Sequence, residues 1–185
     1  RDPKRIYAAT WQRHRNVAAY MGGGPKSDIY RSDDGGDSWK KLSEGLPEGS
    51  MGKIGLAISI QRPDVVYAAI ELNRRQGGLY RSTDRGNSWQ KRSDAVSGGT
   101  GPQYYQELYA SPHEFDRIYL MDVYFKVSLD GGKTFSRVNS KYRWGDSHAL
   151  AFKLSDPDYI MVGDDGGIYE SFDQADNWRW VENLP

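Results

Sequence analysis

Bulky and small residues alternate most clearly between positions 54 and 60, where Ile54, Leu56, Ile58 and Ile60 are interleaved with Gly55, Ala57 and Ser59. That period of two predicts a β-strand with one bulky and one small face. Pro63-Asp64 then turns the chain, and the apolar run 65–70 predicts a second strand. Asn73-Arg74-Arg75-Gln76 with Gly77-Gly78 predicts a loop, residues 79–82 a third strand, and Trp89-Gln90-Lys91-Arg92 the opening of a fourth. We label the strands of such a unit A to D.

The same order recurs along the chain. Residues 5–10 predict a strand B with no strand A before it, followed by a long B–C insertion at 12–27 that holds Arg13-His14-Arg15 and Gly22-Gly23-Gly24. Residues 104–110 and 117–122 predict strands A and B of a third unit, with a tight connection around Asp122-Val123-Tyr124. In a fourth unit Leu150, Phe152 and Leu154 alternate in strand A, Asp156-Pro157 turns the chain, and residues 159–162 predict strand B. Gly163-Asp164-Asp165-Gly166-Gly167 predicts the B–C loop there.

The turn between strands C and D marks each unit. It is written first as Ser32-Asp33-Asp34-Gly35-Gly36-Asp37-Ser38-Trp39, with Ser32, Asp34, Gly36 and Trp39 at its key positions. It returns around Ser82, Asp84, Gly86 and Trp89, and around Ser128, Asp130, Gly132 and Phe135. A worn copy keeps Ser171, Asp173 and Trp178, with Ala175 where glycine is expected and Asn177 where Ser or Thr is expected. The first serines lie 50, 46 and 43 residues apart. Four-stranded antiparallel units at that period predict an all-β fold built from β-propeller blades. The units are bounded at 1–48, 49–98, 99–140 and 141–185. Roughly six or more blades close most propellers, so about three and a half read as a fragment whose partners include the remaining blades.

The box has a structural explanation. Its Asp and Ser side chains bond nearby backbone amides, its Gly takes a conformation costly for other residues, and its aromatic packs beside the turn. Asp33, Asp34 and Asp37 resemble part of a calcium loop, but the second and third copies keep only the central Asp, so no metal or other cofactor is expected. Basic and acidic residues balance at 25 each, which argues against nucleic acid and anionic membranes as partners. No apolar run reaches the roughly 18 residues of a membrane span. The chain has no cysteine, so it has neither disulfides nor thiolate metal sites.

The Ser-x-Asp-x-Gly-x-Ser/Thr-aromatic pattern resembles the Asp-box, or BNR, repeat of sialidases, sortilin-type receptors and xyloglucan-cleaving glycoside hydrolases. Tyr7-Ala8-Ala9-Thr10-Trp11-Gln12-Arg13, Gly22-Gly23-Gly24-Pro25 and Gly163-Asp164-Asp165-Gly166-Gly167 are similar to a large bacterial group of secreted sortilin-like propellers. The resemblance covers essentially the whole chain and implies an extracellular or periplasmic location. It implies either a carbohydrate-active propeller, glycoside hydrolase-like, or a non-catalytic propeller that grips protein or peptide. A sialidase fits less well, because Arg13 and Arg75 alone make no arginine cluster.

In an up-and-down blade, A–B and C–D turns share one face and B–C and D–A loops share the other. The boxes therefore mark a regular face, and the longer irregular loops lie opposite, where binding usually resides. Candidate ligand-binding residues on that face are Tyr104, Tyr105, Arg75, Asp122, Asp146 and His148, with Trp144 beside them. Aromatic rings stack on sugars and carboxylates bond their hydroxyls. Asp164-Asp165-Gly166-Gly167-Ile168-Tyr169 is similar to the segment holding a catalytic aspartate in the xyloglucan-cleaving family. That resemblance makes Asp164, with neighbouring Asp165, the catalytic candidate. Its partner carboxylate in that family has no counterpart in this chain. The pair Asp146 and His148 is too small to hold a metal by itself.

Overall fold

The computed structural model describes residues 2–73, 76–97 and 106–182. Its first sheet begins with β1 (Ile6–Ala9). A separate hairpin, β2 (His14–Arg15) and β3 (Tyr20–Met21), rises from the insertion before β4 (Ile29–Ser32) and β5 (Lys40–Leu42) complete that sheet in the order β1-β4-β5. The second sheet is β6 (Ile54–Ile58), β7 (Val66–Asn73), β8 (Gln76–Ser82) and β9 (Gln90–Ser93). The third is β10 (Leu108–Ala110), β11 (Ile118–Leu120), β12 (Lys126–Ser128) and β13 (Ser136–Arg137). The fourth is β14 (Ser147–Phe152), β15 (Ile160–Asp164), β16 (Gly167–Ser171) and β17 (Arg179–Trp180). Every pairing is antiparallel between chain neighbours within its sheet. Among the described residues no helix is long and apolar enough to cross a membrane.

Period-two alternation sends successive side chains of the central strands into two different interfaces. Val66, Ala68 and Ile70 pack with Ile29, Leu42 and Trp89 between the first and second sheets. Tyr67 and Ala69, one position on, pack with Ile118 and Leu120 between the second and third. Tyr119 and Met121 then meet Ile160, Val162 and Trp178 between the third and fourth. A strand covered on both faces needs apolar residues at every position, which is why β7 reads as a run rather than an alternation.

Glycine accounts for two departures from expectation. Gly77-Gly78, expected in a loop, lies in β8, where Gly77 pairs with Glu71 beside a register slip. Gly77 has φ 143°, and a Cβ there would come within 2.0 Å of the Ile70 carbonyl. These glycines serve a bulge, where backbone approaches backbone, and not a turn. In the fourth sheet Asp164 pairs with Gly167, so the expected five-residue loop shrinks to Asp165-Gly166. Strand A of the second sheet stops at Ile58, leaving Ile60 on an exposed bend.

The four repeated turns share one hydrogen-bond plan. In the second, Ser82 Oγ donates to Asp84 Oδ1 at 2.7 Å and accepts the buried Gly86 amide at 2.7 Å. Asp84 in turn accepts the Ser88 amide at 2.9 Å and the Ser88 hydroxyl at 2.6 Å. The worn fourth copy keeps the plan by substitution: Asn177 donates to Asp173 through its side-chain amide at 2.8 Å, and the Ala175 amide reaches Ser171 Oγ at 2.8 Å. Ala175 takes φ 79°, the left-handed value that glycine adopts in the other copies. In each sheet the next amide along the turn, that of Gly35, Arg85, Gly131 or Gln174, bonds an A–B turn carbonyl at 2.9 Å, so the two turn types share a face. Trp89 and Trp178 are buried against the preceding sheet, while Trp39, on the first sheet, is 44% exposed.

Ser82→Ala is expected to destabilise the fold by about 2 kcal/mol, because it strands the buried Gly86 N–H as well as removing a bond. Urea unfolding measures this, and a loss below about 0.5 kcal/mol would contradict the role assigned to the serine.

Candidate functional site

Among the described residues, connections opposite the repeated turns meet between the third and fourth sheets. The D–A loop there is anchored at its start, where Asn139 Nδ2 donates to the Asp176 carbonyl at 2.6 Å and Trp178 Nε1 donates to the Asn139 carbonyl at 2.7 Å. It is anchored again at its end, where the Trp144 amide donates to Tyr169 Oη at 3.3 Å and the Ser147 amide to the Asp122 carbonyl at 3.3 Å. Between these points Arg143 turns inward. Its guanidinium is 1% exposed and pairs with Asp164. It also donates to Ser147 Oγ at 2.8 Å and lies 5.4 and 5.1 Å from the ring centres of Phe125 and Trp178.

One inward residue forces its neighbours outward. Tyr142 and Trp144, on either side of Arg143, are 79% and 64% exposed, and Tyr124 on the facing B–C connection is 50% exposed. Tyr142 and Asp146 hold left-handed backbone at φ 65° and 60°, a strain kept in place by the surrounding bonds. Arg137 covers one face of Tyr124 at 3.7 Å. At the same rim His148 Nε2 lies 3.3 Å from Asp165 Oδ1, both side chains being open to solvent. We refer to these three exposed rings, with His148 and Asp165, as the ledge.

Asp164 sits beneath this ledge. Its side chain has no solvent exposure, and its Oδ1 is buried without a hydrogen-bond partner among the described residues. Burial pushes its carboxyl up from the ordinary range, opposed by the Arg143 charge and by hydrogen bonds from Ser147 and Arg143.

No protein-family model and no curated protein sequence matches the chain. Solved structures do match. A GH74 enzyme from Niastella koreensis aligns over 97% of this chain and 28% of its own at TM-score 0.65 and 17% identity. The GH74 xyloglucanase from Xanthomonas campestris aligns over 96% of this chain and 32% of its own at TM-score 0.65 and 19% identity. The chain is part of a β-propeller. YCF48 from Cyanidioschyzon merolae aligns over 82% of this chain and 48% of its own, at TM-score 0.50 and 12% identity. At these identities the likeness is one of fold, and the chain spans about a third or less of the GH74 structures it matches.

Propeller register relates the aspartates differently from a count along the sequence. Counting back six residues from each box serine aligns Asp122 with Asp165. Strand pairing instead sets Ile118 opposite Ser128 and Ile160 opposite Ser171. Four residues on from each isoleucine, Asp122 and Asp164 are therefore the equivalent pair. Both are buried beside a cation: Asp122 meets Lys126 Nζ at 2.7 Å and also accepts the Val123 amide at 2.7 Å. Asp146 reaches the same region through its amide, 3.4 Å from the Val123 carbonyl, and His148 meets Asp165. Tyr104, Tyr105 and Arg75 lie outside the described residues. Among the described residues no three His, Asp or Glu side chains converge as metal ligands.

Sequence reasoning overlooked Arg143, Tyr142 and Tyr124 as site components. The signal was the tripeptide Tyr142-Arg143-Trp144, a cation between two large aromatics in a polar loop. It also overlooked Glu71, which is buried at the end of β7 with neither carboxylate oxygen bonded among the described residues.

Proposed function

We propose that this propeller segment binds polysaccharide on the ledge of Tyr124, Tyr142 and Trp144, as a module of a secreted, carbohydrate-active protein. The observation that carries the reading is the ledge: Tyr142 and Trp144 held open to solvent by a pinned loop, the half-exposed Tyr124 on the facing connection, and His148 and Asp165 nearby to bond sugar hydroxyls. The Asp-box pattern and the fold shared with GH74 enzymes support a carbohydrate ligand. Asp164 acts in this reading as a positioning residue that holds Arg143, since a carboxylate sealed from solvent does not touch a glycosidic oxygen. The reading is thus one of binding, with hydrolysis assigned to no residue of this segment.

Affinity electrophoresis of the full-length protein through xyloglucan, mixed-linkage β-glucan and galactomannan tests it. Trp144→Ala is expected to weaken retardation about tenfold, the worth of one good ring contact. Assay of released reducing sugar in the same samples separates binding from cleavage. Wild-type protein that no glycan retards would sink the reading, and selective capture of extended peptides would replace it with the peptide-gripping alternative.

A further inference from the structure

A second polar concavity lies far from the ledge, on the side of the repeated turns. Arg81, Thr83, Ser88, Gln90 and Arg92 line a solvent-open cavity of about 250 Å³ between the second blade and the third. Its two arginines are loosely satisfied. Among the described residues Arg81 has one ion contact, with Asp116 at 3.4 Å, and its Nε is buried without a hydrogen-bond partner. Arg92, among the same residues, reaches the Gly131 and Asp130 carbonyls, at 3.2 and 3.4 Å. The Phe115 and Tyr67 rings, 4.9 and 5.6 Å from Arg81, hold that guanidinium in place. Arg92 stands where the β8–β9 ladder slips by one residue.

The internal repeat shows that the fold does not require this pair. By strand register the position of Arg81 holds Val127 in the third unit, Glu170 in the fourth and Arg31 in the first, whereas Arg92 is an extra residue with no counterpart: Leu42, Val138 and Val181 face the equivalents of Leu79, which in the second unit faces Ser93. Val138 is buried in a core cluster. The first unit also brings two guanidinium groups together, Arg5 and Arg31, but there they share the Asp33 carboxylate. Two forked cations beside a hydroxyl and an amide suit a tetrahedral oxyanion, which can bond several N–H groups at once. Ser88 already gives its proton to Asp84, leaving Arg81, Arg92, Thr83 and Gln90 as the donors.

We propose that this cavity is an oxyanion site that takes a single phosphate or sulfate group, either free or as an ester. It is independent of the glycan ledge. Titration calorimetry and thermal unfolding of the full-length protein test it with sodium phosphate, sodium sulfate and, at equal ionic strength, sodium chloride. Dextran sulfate against uncharged dextran forms the ester arm. Phosphate or sulfate is expected to bind and to raise the unfolding temperature where chloride does not. Arg92→Gln is expected to weaken binding about tenfold, the scale of one charge-assisted hydrogen bond. The double change Arg81→Val with Arg92→Val, which removes both guanidinium groups, is expected to abolish it with an unchanged circular dichroism spectrum. Tighter binding of dextran sulfate than of the free ions assigns the site to an ester, and preference for the free ions assigns it to those. No response beyond that of chloride, or a wild-type response in both variants, overturns the proposal.

Discussion

Arg143→Ala is expected to cost about 3–5 kcal/mol of stability near neutral pH, the penalty for leaving a buried charge without its partner. The guanidinium is almost fully buried, so its removal leaves the sealed Asp164 carboxylate without its cation. The loss should shrink as pH falls, because an unpaired Asp164, already pushed up by burial, escapes the penalty by taking a proton. Replacing both members, as Arg143→Met with Asp164→Leu, is expected to cost much less than the single change. Equal losses in the single and double variants, measured by urea unfolding, would show that the pair is not coupled. The same substitution bears on the ledge. Without Arg143 as its inward post, the loop no longer fixes Tyr142 and Trp144, so glycan affinity should fall even though Arg143 touches no ligand.

Between pH 4.5 and 7, stability is expected to decrease with rising pH by up to about 3 kcal/mol, with Glu71 as the main source. Desolvation at the end of β7 raises its carboxyl from 4.5 to about 7, opposed by the charge of Lys53. Through that window the folded chain holds a proton that the unfolded chain has released, so raising the pH favours unfolding. The contribution is complete below pH 4.5 and gone above about 7. Glu71→Gln should flatten most of this slope, leaving the smaller part of the same sign that Asp164 supplies. An unchanged slope in that variant would remove Glu71 from the account.

The repeated turns act in the opposite direction at lower pH. Hydrogen bonds from Ser32 and then Ser38 hold Asp34 well below the usual carboxylate range. For Asp130 the Thr134 amide contributes most to the lowering, and for Asp173 the Asn177 side chain does. Burial pushes Asp84 up but is outweighed by bonds from Ser88 and Ser82. These groups stabilise the fold above their unfolded values near pH 4 and lose that effect as the pH falls through the depressed ones. Stability should therefore peak around pH 4–5, with an acid limb that Glu71→Gln leaves intact.

Much of the fold was legible in the sequence because its causes are local. A turn that closes on its own Ser, Asp and Gly needs no distant partner, so Ser82-Thr83-Asp84-Arg85-Gly86-Asn87-Ser88-Trp89 has the same geometry wherever it is written. The alternation from Ile54 to Ile58 likewise reports a strand directly. Glycine was less readable: Gly77 looks like a loop residue, but the approach of the Ile70 carbonyl that requires it comes from a neighbouring strand.

The site depended on tertiary structure. Asp164 and Asp165 are adjacent in sequence, yet one is sealed beside Arg143 and the other stands in solvent beside His148. Their different fates follow from strand pairing, because the last residue of β15 points into the interface and the next belongs to the turn. Charge, burial and exposure at a given carboxylate are set by groups that other strands bring to it, and residue spacing does not record those groups. The sequence by itself determined the blades, their turns and the face on which loops vary. The packing of one blade on the next decided which aspartate is buried, which rings are free, and where two arginines meet.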